Sequence, residues 1–253
     1  SHQIAKKIKN SKKPMIIIGE SALYGESGQY IFESFKNFLI KNNLIRKDWN
    51  ALNILTQQAS RVGAIDLGMY SINENDNFSF FNKLNNRDFK FIYLLGADEI
   101  NFTKKDEFIV YQGSHGDKGA EMADIILPGA AYTEKNGSFI NLEGKLQYAY
   151  KASYPPGNSL EDWIILKNIS KAMNKEIGFN NVNELRKLIE INLEKKKNEP
   201  LNSKKIIDFV EENILLKTVD YYYTNPIARA SKVMSECRKI RKNFLFTGIE
   251  KAS

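Results

Sequence analysis

Gly113, Gly116 and Gly119 punctuate the stretch YQGSHGDKGA, which follows an apolar run and carries His115, one of only two histidines in the chain. A glycine-rich loop between a strand and a helix can turn its N–H groups toward a phosphate. The spacing here is GxxGxxG, which matches neither the dinucleotide fingerprint GxGxxG nor a Walker loop. A tight structural turn is therefore expected, with an anion site as the alternative. His115 is the histidine placed for general acid–base work, with Asp117 and Glu121 close in sequence. No Ser or Cys stands in an elbow such as GxSxG, so a surface or loop-locking histidine is the simpler reading. If the glycines serve the turn through backbone angles with φ > 0, β-branched residues at Gly116 and Gly119 should both destabilise it.

A second polar group lies in ADIILPGAAYTEKNGSFINLEGKLQ, residues 123–147, where Glu134, Asn136, Gly137, Asn141, Glu143 and Gly144 follow a short apolar run. Glu134 and Glu143 are paired only by proximity in sequence, whereas a glycosidase must hold two carboxylates at a set separation across a sugar cleft. No residue set here completes a nucleophile, base and oxyanion hole. Asn136, Asn141 and Glu143 can bond exposed backbone groups, and Gly137 and Gly144 permit unusual backbone angles, so all are expected to anchor turns. One cysteine, Cys237, rules out an internal disulfide and an iron–sulfur cluster held by this chain alone. In its helical setting Cys237 reads as a packing residue. With two histidines the usual His/Cys metal sites cannot be assembled, and no catalytic, cofactor-binding or metal-binding residue is assigned.

The net charge of +7 raises nucleic acid as a partner. Of the 37 basic residues only 7 are Arg, and the Lys are strewn along the chain with abundant Asn and Ile. Phosphate recognition favours bidentate Arg, so a solvated basic surface is the expectation, with DNA binding no more than weak and non-specific. Near the end, YYYTNPIARASKVMSEC can cap a helix with Thr224 or Asn225 and open it with Pro226. Ile227, Met234 and Cys237 recur at helical spacing among Arg229, Lys232, Arg238, Lys239, Arg241 and Lys242, and self-packing of that stripe is expected.

These residues need a scaffold. Apolar runs at MIIIG, Leu52 to Leu55, Phe89 to Gly96, Glu107 to Gln112 and Ala123 to Leu127 read as short buried strands. Gly25 to Asn43 shows helical spacing with Ile31, Phe35, Phe38 and Leu39 on one face. Gly63 to Tyr70 is a helix or a loop, and an Asn-rich connection with at most one helical turn follows. Ser138 to Tyr150 alternates like a β-hairpin with Gly144 near its turn. Leu160 to Met173, Val182 to Lys196, Ser203 to Leu216 and Pro226 to Phe244 are expected to be helical. The pattern indicates an α/β fold with an open, mostly parallel, doubly wound sheet over residues 1–157 and a mainly helical region over 158–253. No apolar run reaches the roughly 18 residues of a membrane span. The opening SHQIAKKIKNSKKP lacks both Met and an apolar signal core, so a fragment or processed product without an export signal is expected.

The block FIVYQGSHGDKGAEMADIILPGAAYTEKNGSFINLEGKLQ resembles the late part of the large iron–sulfur subunit of respiratory NADH:quinone oxidoreductase, complex I, which is itself molybdopterin oxidoreductase-like. KKPMIIIGESAL, LLGADE, PPGNSLEDWIILKNIS and YYYTNPIARASKVMSEC look like the same subunit. Lys145 departs from the wider family, which usually has Arg there. The resemblance implies a molybdopterin oxidoreductase-like fold kept without molybdenum. It implies 2Fe-2S and 4Fe-4S clusters in an N-terminal part outside this chain, and no cofactor in this one. It also implies other peripheral-arm subunits as partners, with no nucleic acid and no direct membrane insertion. The implied location is the cytoplasmic face of a bacterial inner membrane, or the matrix face in mitochondria.

Overall fold

Short apolar runs pair here as parallel strands, as continuous apolar segments do in parallel sheets. The computed structural model describes residues 3–46, 48–69, 83–100, 102–197, 208–212 and 220–243. The chain forms two compact units, each drawn from three segments: 1–70, 138–148 and 183–218 make the first, and 71–137, 149–182 and 219–253 the second.

In the first unit, α1 (Gln3–Asn10) precedes β1 (Ile16–Gly19), which pairs in parallel with β2 (Leu52–Leu55) from Ile16 opposite Leu52 to Gly19 opposite Leu55. The Trp49 indole N–H donates to the Pro14 carbonyl at 2.6 Å and fixes the chain before β2. Between the strands runs α2 (Gly28–Lys41), whose Leu39 is fully buried with Leu44 and Ala51. Its faces differ from the expected stripe. Phe35 is 38% exposed, while Glu33, Lys36 and Asn37 are buried. Lys36 bonds Glu33 at 2.6 Å and lies over the Phe32 ring, and mutual neutralisation makes that burial tolerable. The helix-or-loop segment resolves as α3 (Arg61–Asp66), closed by Gly68 at φ +80.

The hairpin forms as expected from β6 (Gly137–Ile140) and β7 (Leu146–Ala149). Asn141 Oδ1 accepts the N–H groups of Glu143 and Lys145, and Gly144 takes φ +76 in the turn. Helix α6 (Val182–Lys197) also belongs largely to this unit. The helix expected over Ser203 to Leu216 lies mostly outside the described residues. Its described part, 208–212, is not helical. Ser27 Oγ donates to the Val210 carbonyl and accepts the Val210 N–H, and Glu212 Oε1 accepts the Ser27 N–H, so a distant loop takes these groups in place of a helical ladder.

The second unit holds β3 (Phe91–Leu95), β4 (Phe108–Gly113) and β5 (Ile125–Pro128), all parallel in the order β3-β4-β5. Leu94, Ile109 and Tyr111 form its core beneath α4 (Lys118–Met122), with Ala120 and Met122 packed against them. Asp124 turns the chain from α4 into β5: its Oδ2 accepts the Ile109 N–H at 2.8 Å and its Oδ1 pairs with Lys104. After β5 a bridge from Gly129 to Leu160 leads to α5 (Asp162–Ala172). The helix expected over Pro226 to Phe244 is two helices, α7 (Pro226–Ala230) and α8 (Lys232–Asn243). Ser231 is extended (ψ 122); its Oγ accepts the Met234 N–H and its carbonyl the Ser235 N–H, so it caps α8 and interrupts the run.

Candidate functional site

Ligands of open parallel sheets sit beyond the carboxyl ends of the strands. At that end of β3-β4-β5 lies a cavity of about 280 Å³, lined among others by Asp98, Gln112, Ser114, Lys135, Asp162 and Ile227. Two networks reach its walls, one through Asp98 and the other through Gln112, Lys135 and Asp162.

The first centres on Arg229 of α7. Its Nε donates to Asp117 Oδ2 at 2.7 Å, one terminal nitrogen bonds Asp98 Oδ2, and the other lies 3.3 Å from Glu99 Oε1. Asp98 and Glu99 follow the end of β3, and Asp117 is the N-cap of α4, where its Oδ1 accepts the Lys118 N–H. Asn225 places Arg229 by capping α7, its Oδ1 accepting the Ala228 N–H at 2.9 Å. Burial by itself would lower the Arg229 pKa, but the hydrogen bond to Asp117 and the charges of Asp98 and Glu99 outweigh it, and the pKa is raised.

The second network joins the ends of β3 and β4 to α5. Gln112 is fully buried. Its amide nitrogen donates to Asp162 Oδ1 at 2.9 Å, and its carbonyl oxygen accepts the Tyr93 hydroxyl. Lys135 bonds the other Asp162 oxygen. Burial, then the Asp162 charge, raises the Tyr93 pKa.

The glycine loop is explained by Tyr111. A Cβ on Gly113 would stand 2.2 Å from the Tyr111 hydroxyl oxygen, and one on Gly119 would stand 2.9 Å from both the Tyr111 ring and the Ala97 carbonyl. None of the three loop glycines has a positive φ, and a Cβ on Gly116 would meet nothing within 4 Å. The expected backbone-angle role is thus corrected: Gly113 and Gly119 are required by close packing, and Gly116 by neither cause. The loop amides are also engaged from within, since the Gly119 N–H donates to the Asp98 carbonyl and the Glu121 N–H to the Asp117 carbonyl.

His115 bonds Ser114 Oγ through Nδ1, and its carbonyl accepts the Tyr111 hydroxyl, as suits a loop-locking residue. Glu121 is exposed. Glu134 accepts the Ala131 N–H at 3.0 Å and Glu143 the Asn141 side-chain amide, so each holds its own turn, while Asn136 accepts the Lys151 N–H from 15 positions away. Cys237 is half-buried in α8. Among the described residues no group of three His, Cys, Asp or Glu is arranged to hold a metal ion. In the first unit a cavity of about 560 Å³ is lined largely by apolar side chains such as Phe32, Leu52 and Ile54, with Glu20 and Arg61 paired at 2.8 Å.

Sequence reading put Arg229 on a solvated basic face and so missed the centre of the first network. The available signal was compositional: in a chain with so few Arg, one beside a capping Asn-Pro marks a place where a planar fork is needed.

Burial, then the charges of Asp98 and Asp117, pushes the Tyr111 phenol up to about 12, with Arg229 opposing. The unfolded phenol ionises near pH 10. Between these values the folded state binds the extra proton, so stability should fall as pH rises from about 10 to about 12. Alkaline denaturation of Tyr111→Phe should show a shallower decline across that window; an unchanged slope would refute the assignment.

The comparisons with known proteins agree with this architecture. Residues 1–172 match the family model described as molybdopterin oxidoreductase, and residues 189–237 match the model for the C-terminal region of the G subunit of NADH-ubiquinone oxidoreductase. The chain is 38% identical over 254 residues to the NADH-ubiquinone oxidoreductase 75 kDa subunit of Reclinomonas americana, covering 95% of this chain and 36% of that protein. It is 36% identical over 249 residues to the G subunit of NADH-quinone oxidoreductase from Rickettsia typhi, covering 94% and 35%. The mitochondrial 78 kDa subunit of NADH-ubiquinone oxidoreductase from Candida albicans is 35% identical over 254 residues, covering 92% and 34%. The chain thus spans about a third of the length of the curated relatives it matches. With one match running through both parallel sheets and the hairpin, the chain belongs to the molybdopterin oxidoreductase family.

Proposed function

We propose that this chain is the C-terminal portion of the large iron–sulfur subunit of a respiratory NADH:quinone oxidoreductase, where it serves as a framework and interaction domain of the peripheral arm. In this reading it carries no cluster, pterin or nucleotide, and electrons pass through other parts of the subunit. Its partners are the neighbouring peripheral-arm subunits, on the cytoplasmic face of a bacterial inner membrane or the matrix face of a mitochondrial one. No helix among the described residues is long and apolar enough to cross a membrane.

One observation carries the reading. Asp98 lines the crevice at the carboxyl ends of β3 and β4, and the chain's own Arg229 already pairs with it and with the neighbouring Glu99 and Asp117. A pterin nucleotide brings phosphates, which need free N–H donors and unpaired cations. Here the donors at Lys118 and Gly119 are taken by Asp117 and Asp98, and the one guanidinium is already shared among three carboxylates, so an anion would meet excess negative charge. The residues present do not fit that group.

Two measurements test the proposal. Calorimetry of the purified chain with guanine and nicotinamide nucleotides should show no binding heat, and visible absorbance with elemental analysis should show neither iron nor molybdenum. Micromolar nucleotide affinity, or a stoichiometric metal, would overturn the framework role. An antibody to this chain should detect, in membranes, a polypeptide of the relatives' length that co-migrates with NADH dehydrogenase activity on native gels. Detection elsewhere would overturn the parentage.

A further inference from the structure

Side chains at alternate positions of β3-β4-β5 divide the sheet into two faces. Leu94, Ile109 and Tyr111 point into the core. Phe91, Phe108, Val110, Gln112 and Ile125 share the opposite face, since Phe91 lies opposite Phe108 and Val110 opposite Ile125 in the parallel register. Toward the carboxyl ends this face is closed at β4, with Val110 and Gln112 both buried, while Leu95 beside Gln112 on β3 stays 44% exposed. Toward the amino ends it is bare: Phe91 is 57% exposed, Phe108 45% and Ile125 46%. Phe91 and Phe108 stack with centroids 6.2 Å apart and planes 17° from parallel.

Parallel sheets occur almost only with both faces covered, because their strands are apolar on both sides and their crossovers are helices. A three-stranded row is roughly 10 Å wide, about the diameter of one helix. Among the described residues the two parallel sheets have two and three strands, against a usual five or six. The β1-β2 sheet repeats the pattern, with Met15, Ile17 and Leu55 all more than half exposed. The relatives extend well beyond the third of their length that this chain matches.

Resting on the parentage proposed above, we propose that the Phe91–Phe108–Ile125 face seats an amphipathic helix from the preceding part of the same subunit, and not from another polypeptide. An all-apolar row that includes a stacked aromatic pair suits permanent, intramolecular cover better than a reversible partner, which would call for a polar rim.

Hydroxyl-radical footprinting needs no substitution and compares the purified chain with the parent subunit in its assembly. Phe91 and Phe108 should label in the free chain at rates close to those of exposed Tyr150 and Tyr154, and at least tenfold more slowly in the parent. A photo-crosslinking phenylalanine analogue placed at Phe108, or at Ile125 should the first variant fold poorly, identifies the cover. Cross-links to preceding residues of the same subunit, spaced by three or four, support the proposal. Cross-links to a different polypeptide, or labelling unchanged between chain and parent, overturn it. If the chain proves to belong to no longer subunit, the immunoblot shows that first, and the parentage fails before the footprint is read.

Discussion

Replacing Arg229 by alanine should destabilise the second unit by about 3–5 kcal/mol, the usual cost of removing one partner from a buried ion pair. The side chains of Arg229 and Asp98 are 14% and 8% exposed, so the aspartate would be left charged and nearly dry. Glu99 is mostly solvated and contributes little to that cost. Denaturant unfolding of the wild type and Arg229→Ala measures it. Arg229→Lys should fall between the two, since an ammonium cannot reach Asp98 and Asp117 with the geometry of a planar fork. Asp98→Asn in the Arg229→Ala background should restore part of the loss. A change within roughly 0.5 kcal/mol at neutral pH would mean that the cluster is solvated, and the case against an anion site would fall with it.

Gly119→Val should cost about 1–3 kcal/mol, while Gly116→Val should lie within roughly 0.5 kcal/mol of the wild type. The new Cβ at Gly119 stands 2.9 Å from a backbone carbonyl and from the Tyr111 ring, and neither can easily withdraw. Tyr111 is buried in the core and bonded to the His115 carbonyl, and Ala97 O belongs to the turn that presents Asp98. The two changes thus separate packing from backbone freedom within one loop. Thermal melts of both variants give the comparison. Equal losses would restore the backbone-angle explanation; no loss at Gly119 would show that the sheet end can dilate.

The sequence by itself determined the local elements of this protein. MIIIG, FKFIYLLG and EFIVYQ are strands because continuous apolar runs suit a parallel sheet. The hairpin is legible because Asn141 and Gly144 supply its turn chemistry within a few residues. Asn225 and Pro226 announce a helix start for the same reason. All these signals act over less than one element, so local pattern suffices. The family block in residues 108–147 added the molybdopterin oxidoreductase assignment.

Tertiary structure decided the rest, through groups far apart in the chain. Arg229 and Asp98 are 131 positions apart, and no periodicity brings a cation to an acid over that distance. Ser27 pins Val210 across 183 positions and takes backbone groups that a helical pattern would have used. Phe35 turned outward because Lys36 and Glu33 could neutralise one another inside, an outcome that depends on desolvation and not on hydrophobic spacing. The glycines of the loop look equivalent in sequence, yet only those beneath the Tyr111 ring are constrained, since close approach is a property of the folded packing.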